Sequence, residues 1–123
     1  MKLRNIILTG LLFLFTSSIL FANQLNDDFF ADRWQVQIFD TPDGDHTMVM
    51  ALKRDGDNLT GWFEGPDGTR AEIERIQEAE NSITVYWTAE GYYVSLQLDK
   101  KDDNNLTGNL LHMFNSTAER IVD

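Results

Sequence analysis

Along this chain apolar and polar residues alternate in short runs, interrupted by Gly, Pro, Asp and Asn. Trp34, Val36 and Ile38 alternate with Arg33, Gln35 and Gln37, the period of a half-buried strand. Thr41-Pro42-Asp43-Gly44-Asp45 ends that run; proline presets φ and glycine accepts positive φ, so this is a turn. Further strands are predicted at Thr47–Lys53, Leu59–Glu64, Ile83–Thr88, Tyr92–Asp99 and Leu106–Phe114, with a short last one at Glu119–Val122. Asp55-Gly56-Asp57-Asn58, Gly65-Pro66-Asp67-Gly68, Ala89-Glu90-Gly91 and Lys101–Asn104 are the intervening turns. Arg70–Glu80 reads two ways. Its Ala, Glu, Arg and Gln favour helix, whereas its place between hairpins favours a strand with a bulge near Arg75, and strand is preferred.

The pattern is written twice. Residues 35–61 recur at 82–108 with an offset of 47, and Asn58-Leu59-Thr60-Gly61 returns letter for letter as Asn105-Leu106-Thr107-Gly108. The expected fold is all-β: an antiparallel eight-stranded meander closed into a small barrel, with an internal duplication. Gly61 and Gly108 fall inside strands at matching places, where glycine marks a corner at which backbones approach closely. Alternation turns Trp34, Val36, Ile38, Leu59, Gly61, Phe63, Ile83, Val85, Trp87, Val94, Leu96, Leu98, Leu106, Gly108 and Leu110 inward. The opposite phase carries Phe39, Met48, Met50, Leu52, Trp62, Tyr86, Tyr93, Leu111 and Met113. In strand two the copies disagree, since Met48, Met50 and Leu52 align with Ser95, Gln97 and Asp99. That strand is either apolar on both faces or shifted by a one-residue bulge, which reverses every side chain.

Trp34 at the start of the first strand, Arg120 in the last, and the phrase Asp55-Gly56-Asp57-Asn58-Leu59-Thr60-Gly61 together resemble a small calycin. That lipocalin-like group includes lipocalins, fatty-acid-binding proteins, avidins and bacterial metalloprotease inhibitors, and the phrase is similar to one in small exported proteins of Gram-negative bacteria. The resemblance spans most of Trp34–Val122 and implies a lipocalin-like barrel whose arginine packs across the tryptophan. One departure is Asp32, where lipocalins carry glycine. The biotin-binding residues of avidins do not map onto this chain.

The first residues read as an export address. Lys2 and Arg4 precede an apolar stretch from Ile6 to Phe21, and Ala22 suits cleavage. The expected organisation is a signal peptide over 1–22, an N-terminal segment over 23–32 and the barrel over 33–123. The apolar stretch is too short and interrupted for a membrane anchor, so the protein is expected to be periplasmic or secreted. Removing Lys2 and Arg4 takes the formal charge from −10 to −12. So acidic a surface argues against nucleic acid and anionic lipid. There is no cysteine to cross-link a limited core.

Candidate chemistry is sparse. His46 and His112 form no ligand cluster by spacing, and Asp40, Asp43 and Asp45 read as turn residues, so no metal is expected. No nucleophile motif or phosphate-cradling loop is present, and no enzyme activity or cofactor is expected. What remains is a surplus of apolar and aromatic residues. In one reading the barrel holds a small apolar ligand, lined by Met48, Met50, Phe63 and Trp87. In the alternative, Trp62, Tyr86, Leu111 and Met113 bind a protein partner or a second copy, or an inhibitor uses Asn23–Phe30 as a trunk.

Overall fold

The computed structural model describes Asp28–Val122; the expected signal peptide and residues 23–27 lie outside the described residues. Of the chain's two compact units, the one from Ala31 carries every strand. These are β1 (Arg33–Thr41), β2 (Gly44–Asp55), β3 (Asn58–Glu64), β4 (Arg70–Glu72), β5 (Arg75–Glu78), β6 (Ser82–Ala89), β7 (Tyr92–Asp102), β8 (Asn105–Leu110) and β9 (Phe114–Arg120). All pairings are antiparallel, in the order β4-β3-β2-β1-β9-β8-β7-β6-β5. The two edge strands are consecutive in the chain. Between them, Ile73 N–H donates to Gly61 O of β3 and Glu74 N–H to Tyr86 O of β6. The sheet thus curls into a barrel until one segment spans both of its edges.

That segment is the ambiguous stretch, and it is strand. It changes partner at Ile73–Glu74, which raises the count from the expected eight strands to nine. A second difference lies near the C-terminus. The expected strand to Phe114 stops at Leu110, and β9 runs from Phe114 rather than Glu119. Leu111 and His112 adopt positive φ of 55° and 59° between them. No Gly or Pro marks that turn, so turn chemistry does not reveal it.

Residues directly paired across antiparallel strands share a face. Met50 lies opposite both Trp34 and Phe63, Met48 opposite Val36, and Leu52 opposite Gly61. The whole methionine row therefore faces inward, correcting its assignment to the outer phase. The cause is the register. Ile38 pairs with His46, but its counterpart Val85 pairs with Leu96, the counterpart of Val49, a displacement of three residues. Leu52 pairs with Gly61, but Gly108 pairs with Leu98, the counterpart of Ala51, a displacement of one. Both displacements are odd, so the first reverses the faces and the second restores them. In the first copy the irregularity falls between Ile38 and Thr41, where Asp40 takes φ 58°; in the second it falls between Lys100 and Asp102.

The interior is filled by Trp34, Val36, Ile38, Met50, Leu52, Leu59, Phe63, Ile83, Val85, Trp87, Val94, Leu96, Leu98 and Leu106, all buried. At Gly61 an added Cβ would collide with Ala51 O, and at Gly108 with Gln97 O. The matched glycines are therefore points of backbone contact, as the duplication predicts.

Candidate functional site

The two ends of the barrel differ. At one end, partly exposed ions pair across the inner face. Arg54 lies opposite inward Leu59, and Glu78 opposite inward Ile83. Their side chains meet in a two-pronged pair, Nη1 to Oε2 at 3.0 Å and Nη2 to Oε1 at 3.1 Å. Nearby, the Arg120 guanidinium sits 4.4 Å from the Trp34 ring centroid. It donates to Asp32 Oδ2 at 2.7 Å and to Asp103 O at 2.7 and 3.2 Å. Asp32 thus supplies the carboxylate that orients the arginine.

The opposite end carries the β1–β2, β3–β4, β6–β7 and β8–β9 connections. Its inward positions are mostly apolar. Met48, Leu110 and Phe114 are half-buried, while His46 and Tyr92 are exposed at the rim. Beneath them Phe63 and Trp87 are buried, with ring centroids 4.4 Å apart and planes tilted by 43°. Of the residues expected to line a ligand site, Met48 stands at this mouth. Phe63, Trp87 and Met50 form the packed floor and wall, and all four share the inner face.

One polar group breaks the apolar lining. Ser116 follows Phe114 as the next inward position of β9 and lies between Ile38 and Gly108. It is 1% exposed, and its hydroxyl has no hydrogen-bond partner among the described residues. The sequence signal for it was the phase Phe114, Ser116, Ala118, Arg120, legible only once the turn at 111–113 is placed.

The residues expected to bind a partner do not form one patch. Trp62 lies on β3, covered by the Arg70 guanidinium 3.8 Å from its ring centroid, and its Nε1 donates to Glu64 Oε2 at 2.8 Å. That bond, with help from Arg33, holds the Glu64 carboxyl below its usual range. Beyond the β4–β5 segment, Tyr86 lies under Arg75 and stacks on Tyr93 at 5.7 Å. Across β7 from Tyr86, Leu111 N–H donates to Ser95 O. Here Tyr93 is 58% and Met113 70% exposed. On the far outer face, Gln35, Gln37, Asn105, Thr117, Ala118 and Glu119 line a groove of about 280 Å³.

His46 and His112 are both exposed, and no group of three His, Asp or Glu side chains gathers in metal-binding geometry among the described residues.

Strand order and burial define a small antiparallel β-barrel. It is similar to a solved redesigned beta barrel, with a TM-score of 0.52 and 14% sequence identity over 77% of this chain and 94% of that one. No family model matches the sequence, and no curated protein matches it.

Proposed function

We propose that this is an exported, non-enzymatic, lipocalin-like binding protein that takes a small apolar group into the open end of its barrel. The observation that carries this reading is the asymmetry of the ends. One is spanned by the ion pairs Arg54–Glu78 and Arg120–Asp32, whereas the other presents the half-buried apolar side chains Met48, Leu110 and Phe114 over Phe63 and Trp87. Such a site is apolar and aromatic, with an unbranched methionine that reshapes easily at its edge. Export is supported by the order Lys2, Arg4, Ile6 to Phe21, Ala22.

The test is tryptophan fluorescence on titration with N-phenyl-1-naphthylamine. Binding at the mouth quenches or shifts the emission; Trp87→Phe removes the response and Trp62→Phe preserves it. A response that survives Trp87→Phe, or none in the parent protein, overturns the reading.

A second reading rests on Tyr86, Tyr93, Leu111 and Met113, whose partly stacked and exposed surface is of the kind found at protein interfaces. It requires that Met113→Glu abolish self-association or partner capture while the Trp87 response is retained.

A further inference from the structure

We infer that the ligand of the open end is an uncharged apolar molecule bearing one hydrogen-bonding group, such as an alcohol or amide, and that this group meets the Ser116 hydroxyl. The inference rests on the proposed binding at this end and specifies its chemistry. A buried polar group without a partner is unfavourable, because it has given up water and received nothing in return. Ser116 is in that position on the inner face, one inward step beyond half-buried Phe114. Around it, Ile38, Gly108 and Ala118 offer no side-chain donor or acceptor.

The way to it lies beneath Met48 and Phe114. Met48 sits beside Val36 on one flank of β1, and Ser116 sits beside Ile38 on the other, both on the inner face. A ligand that displaces the flexible methionine chain and the Phe114 ring reaches the hydroxyl.

Charge decides the class. The connections around the mouth carry Asp43, Asp67 and Glu90, with Asp40 and Asp45 on the adjoining strand ends, and Arg70 at the start of β4 is already paired with Glu72 at 3.0 Å. All five acids are exposed. A carboxylate entering this end meets like charge at the rim, and the inward cations Arg54 and Arg120 lie at the far end, already paired with Glu78 and Asp32. Burying an unpaired ion there is far more costly than burying a hydroxyl. A cationic head is drawn to the rim, but a lone serine cannot compensate its desolvation. Only a neutral group gains at Ser116.

The experiment displaces N-phenyl-1-naphthylamine with 1-octanol, octane and octanoate, using the parent chain and Ser116→Ala. The parent should bind octanol roughly fivefold more tightly than octane, the discrimination of one net hydrogen bond, and octanoate most weakly. Ser116→Ala should abolish the preference, bringing octanol level with octane or below it, and leave octane unchanged. Equal octanol and octane affinities in the parent, a preference that survives Ser116→Ala, or octanoate as the tightest ligand overturns the inference while leaving apolar binding intact. If the dye binds nowhere near Trp87, or none of the three displaces it, the underlying reading fails as well.

Discussion

Gly108→Ala separates a barrel contact from an ordinary strand glycine by the sign of its effect. In an ordinary strand, alanine removes unfolded-state entropy and stabilises by about 0.5–1 kcal/mol. Here the added methyl would overlap Gln97 O and stand 2.7 Å from Gln97 C and 3.0 Å from Leu98 Cα. Every one of these atoms is backbone, so no rotamer change relieves the overlap. Strands β7 and β8 must separate where Leu98 pairs with Gly108. Overpacking of this kind costs about 1–3 kcal/mol or more, and loss of a ladder hydrogen bond adds about 1 kcal/mol. A net loss of about 2–4 kcal/mol corresponds to a fall of roughly 10–25 °C in melting temperature for a domain this size. Urea unfolding followed by tryptophan fluorescence measures it directly. A variant as stable as the parent, or more stable, would refute the close approach of the two strands.

Other perturbations follow from the same geometry. Arg120→Ala removes the cover of Trp34 and strands Asp32 and the Asp103 carbonyl. It should destabilise by about 2–3 kcal/mol in urea titration, and a loss under about 0.5 kcal/mol would contradict the packing. Glu78→Gln breaks the two-pronged Arg54 pair, which is about a quarter to a third exposed. Its cost should be near 1 kcal/mol and shrink in high salt; a salt-independent loss would point to packing instead. Acid should weaken the turns. The Thr69 hydroxyl and amide hold Asp67, and the Asn104 amide and Asn105 side chain hold Asp102, below the usual aspartate range. Their contribution is complete above the unfolded aspartate value and is lost as pH falls through the lowered folded values, below about pH 4. Melting temperature against pH, with Asp102→Asn flattening part of the acid limb, checks the sign.

How much of this was legible in the sequence depended on whether the deciding information was local. Alternation placed Val36, Ile38, Ile83 and Val85 on the inner face because their neighbours are polar. It could not place Met48–Leu52, where both phases are apolar and the facing is set by a bulge at Asp40, outside the strand's own pattern. The β8–β9 turn was hidden because no Gly or Pro marks it and Leu111 holds a left-handed conformation that residues of its type seldom adopt. Ser116 was hidden with it, since its facing follows from that turn. The Trp34–Arg120 contact was expected from the resemblance, and the register places the two residues directly opposite each other. The ion-paired end was not foreseen: Arg54 and Glu78 are 24 residues apart in the chain, and only closure through β5 brings them together.

The two odd register displacements also bear on how such a gene can change. Because β2 and β7 present opposite phases of aligned positions, the repeats are not exchangeable cassettes. Placing the β2 sequence into β7 would put Met48, Met50 and Leu52 at the outward sites of Ser95, Gln97 and Asp99. It would leave Thr47, Val49 and Ala51 to fill the space of Val94, Leu96 and Leu98. Recombination between the two repeats therefore yields a chain with its largest side chains outside and too little volume within. Each half folds correctly only in its own place, and the two odd displacements make the order of the halves irreversible.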